Sequence, residues 1–163
     1  MMTMPKELWV GMLAWVLVFA GPAPAWAQAG RKVASALGTG AAFAPDGSLW
    51  IVGLDDAKQL FVQRRADPGR DFDAPRLLDT AGDAISADGE NRPKIAFGPR
   101  QQAVITYTRP LSKPYTGQIR LLRSADGGQS FAPPVTVHRD TAEITHRFES
   151  VGFDAKGVLH TVW

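Results

Sequence analysis

The sequence contains no cysteine, so its fold is held by burial and strand pairing and not by disulfides. Beyond residue 27 no stretch repeats apolar residues at helical spacing, which excludes a helical bundle. Charge of one sign is lacking too: 18 Lys and Arg stand against 16 Asp and Glu, spread along the chain without clusters. Such a balance gives no footing for a nucleic-acid backbone. One long apolar run exists, residues 8–19, and it is short for a bilayer span.

The surroundings of that run give its reading. Lys6 precedes it, Gly21-Pro22 breaks it, and Ala25-Trp26-Ala27 follows as a small-residue exit. That order describes a secretory signal peptide over 1–27, with the mature chain opening near Gln28. An uncleaved membrane anchor is the alternative. The leader has no lipobox cysteine and no twin arginine. The expectation is a bacterial periplasmic or secreted protein with no stable membrane span after cleavage.

What is present is repetition. Ala42-Phe43-Ala44-Pro45-Asp46-Gly47, Ala96-Phe97-Gly98-Pro99-Arg100-Gln101 and Gly152-Phe153-Asp154-Ala155-Lys156-Gly157 align, each reading strand, short polar turn, strand. The phenylalanines at 43, 97 and 153 set a period of about 55 residues, a spacing that suits propeller blades. Short segments rich in Val, Ile, Leu and aromatics, bounded by Gly, Pro and Asp, predict strands at 40–44, 49–53, 59–64 and 75–78. A second set is predicted at 94–97, 103–108, 118–123 and 135–138. Four antiparallel strands per repeat make a blade of a β-propeller. The fold class is therefore all-β, a partial β-propeller: a first blade over about 40–79, a second over about 93–138, and the start of a third over about 148–163.

The most specific motif is Ser124-Ala125-Asp126-Gly127-Gly128-Gln129-Ser130-Phe131. It reads as a tight hairpin turn. Asp126 accepts turn N–H groups, Gly128 adopts a backbone conformation closed to residues with a Cβ, Ser124 and Ser130 supply hydroxyls, and Phe131 buries its ring behind the turn. Arg65-Ala66-Asp67-Pro68-Gly69-Arg70-Asp71-Phe72 keeps Asp67, Gly69 and Phe72 of the pattern and loses the hydroxyl residues. The full motif fills the pattern Ser-x-Asp-x-Gly-x-Ser/Thr-aromatic and resembles the Asp-box (BNR) repeats of the sialidase superfamily. The resemblance covers about residues 43–163 and implies a propeller whose Asp boxes lie on the end opposite the binding loops. A closed ring takes more blades than these, so the expectation is a truncated member, or one completed by further blades or by self-association.

Strand parity places 55–58, 80–93, 109–117 and 139–147 together on the end away from the boxes, where long loops on a rigid scaffold carry binding. Glu90-Asn91-Arg92-Pro93 and His146-Arg147-Phe148-Glu149 enter successive inner strands there at equivalent positions. Two guanidiniums converging at that point would hold a carboxylate by paired hydrogen bonds, as the resemblance implies for a sialidase arginine cluster. The superfamily mechanism also uses a tyrosine nucleophile, a glutamate beside it and an aspartate acid. The residues available are Arg92, Arg147, Glu90, Glu149, Tyr115, Tyr107 and Asp140, none in a diagnostic motif. The plainer reading pairs each arginine with a nearby glutamate and leaves Tyr115 a packed loop aromatic. The chain departs from the family in lacking an Arg-Ile-Pro motif, of which Arg92-Pro93 is a partial echo. His138, Asp140 and His146 match no metal-site spacing, and no cofactor or metal is expected. Three functions stay open: a non-catalytic binding or scaffold module for a carbohydrate or another exported protein, a fragment of an exo-α-sialidase-type glycoside hydrolase, and a non-functional truncation.

Overall fold

The computed structural model describes residues 38–163; the expected signal segment, 1–27, lies outside the described residues. Among these, every regular element is a β-strand and no helix is present, so none is long and apolar enough to cross a membrane. β1 (Gly40–Phe43), β2 (Leu49–Leu54), β3 (Leu60–Arg65) and β4 (Arg76–Leu77) form one antiparallel sheet in chain order. β5 (Lys94–Phe97), β6 (Ala103–Pro110), β7 (Gly117–Ser124) and β8 (Val135–Thr136) repeat that order in a second sheet. β9 (Ser150–Phe153) pairs antiparallel with β10 (Leu159–Val162).

These strands differ from the expected ones only at their ends, for local reasons. β6 and β7 run on to a Pro110–Gly117 pair, because a proline is tolerated at the end of a ladder where its missing N–H is not needed. The fourth strands shrink to two residues each. Pro75 and Pro134 stand just before them and have no N–H to offer a partner.

The core lies where the two four-stranded sheets face each other. Trp50, Val52, Leu54, Leu60 and Val62 from β2 and β3 meet Ile95, Ile105, Tyr107 and Leu122 from β5, β6 and β7. On β2 the buried Trp50 and Val52 alternate with half-buried Leu49 and Ile51, the pattern of a strand covered more on one face. β6 is buried from Ala103 through Thr108 on both faces. Its second face is covered from the β9 side, where Glu149 Oε2 lies 3.4 Å from Thr108 Oγ1. β1, β5 and β9 run beside one another. A Cβ on Gly40 would stand 2.3 Å from the Pro93 carbonyl oxygen, so only glycine admits β5 so close to β1. Phe43, Val158 and Val162 stand exposed. Trp163 follows β10, half exposed, with its indole N–H donated to His146 Nδ1 at 2.8 Å.

The β7–β8 turn joins the two sheets. Asp126 Oδ1 accepts the Ser130 N–H at 2.9 Å and the Ser124 hydroxyl at 2.7 Å, while Ser124 Oγ accepts the Gly128 N–H at 2.8 Å. The Ser130 hydroxyl, donated to Oδ2, is foremost among the bonds that hold the Asp126 carboxyl well below the usual range. Gly128 sits at φ +90°, and a Cβ there would meet the Trp50 ring at 3.0 Å. Arg76 of β4 donates to the Gly128 carbonyl, and its guanidinium lies 5.9 Å from the Phe131 ring centre.

The β3–β4 turn is built differently. Arg70 N–H donates to the Asp67 carbonyl at 3.1 Å, and Arg70 Nε lies 4.0 Å from the Asp67 carboxylate. No hydroxyl stands at 65 or 71, Pro68 has no N–H, and Gly69 keeps an ordinary φ. Phe72 instead packs under the Arg65 guanidinium, 5.2 Å away.

Candidate functional site

The end of the sheets away from the β7–β8 turn carries the β4–β5 connection (78–93), the β6–β7 turn and the β8–β9 connection (137–149). Hydrogen bonds sew these segments together. Ser86 N–H donates to the Thr108 carbonyl at 2.9 Å, and Gly117 N–H to the Ile144 carbonyl at 3.1 Å. Glu143 accepts the Lys113 N–H at 3.0 Å and the Ser112 hydroxyl, with Lys113 Nζ at 3.6 Å.

Arg147 is buried among them. Its Nη2 donates to both oxygens of Asp88, at 2.6 and 2.7 Å, and this bond is the chief reason that the Asp88 carboxyl lies below its ordinary range. Its guanidinium sits 4.9 Å from the Phe148 ring centre and 5.9 Å from that of Tyr115. Both aromatic residues hold φ at +62°. For a bulky side chain that conformation costs about 1–3 kcal/mol and persists only where the surroundings enforce it. Tyr115 is 77% exposed. Ser86, Asp88, Ser112, Lys113, Tyr115 and Arg147 line a recess of about 320 Å³.

Glu149, two residues on from Arg147, faces the other way. Its side chain is fully buried, with Oε1 lacking a hydrogen-bond partner and Lys94 Nζ 3.9 Å away. Burial raises the Glu149 carboxyl above its usual pKa and lowers Lys94. Lys94 Nζ also donates to the carbonyls of Glu90 at 3.1 Å and Arg92 at 3.2 Å. Asn91 ties the strand entries together: its Oδ1 accepts the Thr108 hydroxyl at 2.6 Å and its Nδ2 donates to Ser86 Oγ at 2.9 Å.

The structure separates the residues singled out in the sequence. Arg92 pairs with the exposed Glu90 at 3.3 Å and lines a second recess of about 420 Å³ beside Gly40, Lys94 and Ser150. Arg147 lines the first. The two guanidiniums therefore do not share one space, and Arg147 pairs with Asp88 and not with a glutamate. Tyr107 is fully buried, donating its hydroxyl to Asp83 Oδ2 at 2.8 Å, and burial raises its pKa further. Asp140 accepts the Ala142 N–H at 2.8 Å, which keeps its carboxyl low, and lies 3.4 Å from His146 Nε2. The His138 and His146 rings stack at 3.9 Å. Among the described residues no group of His, Asp or Glu is arranged to hold a metal ion.

Neither recess on this end is lined by two carboxylates. The exposed Tyr115 ring and the exposed Asp88 carboxylate border the first recess, with the Arg147 guanidinium 5.9 Å from the ring centre. No family model matches this chain, and no curated protein sequence matches it. Asp88, Lys94 and Asp83 are the residues that sequence reasoning passed over. All lie on or next to the loop segment that parity assigns to this end, and Asp88-Gly89 is a turn signal directly before Glu90. Asp83 accepts from Arg120 Nε at 2.7 Å and faces Arg109 Nε at 3.4 Å, so it anchors the base of the β4–β5 connection.

Proposed function

We propose that this chain is an exported, sialidase-like BNR-repeat propeller protein that acts as a non-catalytic binding module for carbohydrate. The two four-stranded meanders are blades, β9 and β10 open a third, and the β7–β8 turn is the Asp box. The adjacency of β1, β5 and β9 supports this reading, since the first strands of successive blades line a propeller's axis. The ligand site is the recess at Arg147. The observation that carries it is Tyr115, a bulky residue held at positive φ with its ring exposed beside the buried Arg147 and its exposed partner Asp88. Strain of this kind in a loop is retained where it places a side chain for contact.

Glycan-array screening of the full chain followed by titration calorimetry tests the reading. Tyr115→Ala is expected to weaken carbohydrate binding by about tenfold or more, the scale of an aromatic hot spot. Aryl sialosides should not be turned over. Hydrolysis lost on Arg147→Ala would replace the binding reading with a glycosidase one, and binding indifferent to Tyr115→Ala would remove the recess from the site.

A further inference from the structure

The opposite end of the sheets, where the short turns gather, contains a cleft of about 500 Å³. That volume falls within the roughly 300–1,000 Å³ of small-molecule sites. It opens between the two four-stranded sheets. Trp50 and Phe97 form its aromatic floor, their ring centres 5.5 Å apart. Its rim carries Asp46, Arg64, Arg100, Gln101 and Gln129.

The β5–β6 turn on that rim breaks the local rule that its counterparts obey. In the β1–β2 and β9–β10 turns the corresponding positive-φ residue is a glycine, Gly47 and Gly157, both at +82°. In the β5–β6 turn Gln101 occupies that place at φ +60°, directly after Arg100 at +58°. Two consecutive residues with side chains hold a conformation that favours glycine, and both line the cleft. The Gln101 carbonyl does accept the Gly127 N–H at 2.8 Å, but a backbone oxygen of any residue would serve there. Packing thus gives no reason for the Gln101 side chain.

The chemistry of the rim names a ligand class. Arg64 Nη2 meets Asp46 Oδ2 at 3.1 Å, and both side chains stay partly exposed, which sets an N–H donor beside a carboxylate acceptor. That couple complements two neighbouring hydroxyls, one accepting and one donating. The Ser48 hydroxyl and N–H hold the Asp46 carboxyl down to about 2, so it stays ionised. Two carboxylates, Asp46 and Asp126, balance the two guanidiniums of Arg64 and Arg100, and the glutamines are neutral; the rim as a whole has no preference for an ion.

We infer that this cleft is a second binding site, separate from the Arg147 recess, for an uncharged sugar whose ring edge rests on Trp50 and Phe97 and whose vicinal hydroxyls engage Arg64, Asp46 and Gln101. Nuclear magnetic resonance titration of the full chain with maltose, cellobiose and lactose tests it. At millimolar sugar the Trp50 indole N–H and the amides of Gln101 and Gly127 should shift for at least one of the three. Gln101→Gly restores the glycine that the other two turns use, so this variant should melt at or above the parent temperature while its sugar affinity falls at least fivefold. Tyr115→Ala should leave those shifts unchanged, which separates this site from the one at Arg147. No shift at Trp50 or Gln101 up to tens of millimolar, or equal affinity in Gln101→Gly, overturns the inference, as does sugar binding that is confined to the Tyr115 end.

Discussion

Lys94→Met is expected to destabilise the protein by about 3–5 kcal/mol, the usual result of removing one member of a buried ion pair. Glu149 would then keep its fully buried position with no cation near it. Glu149→Gln, which removes the charge and keeps the shape, should leave stability at pH 7 equal or higher, because Lys94 retains the Glu90 and Arg92 carbonyls. The two variants also predict opposite behaviour with pH. Burial raises the folded-state pKa of Glu149 above its unfolded value. The carboxyl therefore favours the folded state fully below the ordinary glutamate range, and that contribution is lost as pH rises through the folded value. Urea melts at pH 4 and pH 7 should find E149Q closest to the parent at the acid end and most favourable at the neutral end. A Lys94→Met variant as stable as the parent, or an E149Q difference that does not change with pH, would show that the pair is not coupled to folding.

Trp50→Ala should cost about 3–5 kcal/mol, the range for deleting a large buried aromatic. Trp50 is 7% exposed, packs on Phe97, donates its indole N–H to Ser48 Oγ at 3.0 Å and abuts Gly128 of the other sheet. Gly128→Ala carries two penalties. One is backbone strain at φ +90°, about 1–3 kcal/mol, and the other is the Cβ pressed against the Trp50 ring at 3.0 Å. In the Trp50→Ala background the second penalty vanishes, so the double variant should be more stable than the sum of the single losses requires. Guanidinium melts of the three variants measure this, and strict additivity would show that Trp50 and Gly128 do not meet in solution.

The strands were legible because Gly, Pro and Asp punctuate them: the predicted β5 agrees with the observed Lys94–Phe97 at both ends. The two ends of the sheets were legible too, since alternation of strand direction needs no coordinates. The side-chain partnerships were not. Arg147 and Glu149 are two residues apart, yet one faces the recess and the other is sealed beneath Lys94, and only the path of the 78–93 connection decides which carboxylate meets the arginine. Nor does the sequence disclose that Arg100 and Gln101 replace an expected turn glycine at positive φ, because the alignment of the three turns records a difference of residue and not of backbone. The β3–β4 turn is the converse case, in which Asp67, Gly69 and Phe72 keep the spacing while the loss of hydroxyls and the presence of Pro68 remove the hydrogen bonds that the spacing serves.

Arg76 bears on how the chain assembles in time. During synthesis β1 to β4 emerge before β5 to β8, but β4 has only two paired residues, both exposed, and its link to the Gly128 carbonyl requires the later turn to have closed. The outermost strand of the earlier sheet is thus secured by its successor. Slow amide exchange in β4 should appear only once the β7–β8 turn has formed, which makes the order of the chain the order in which its parts become permanent.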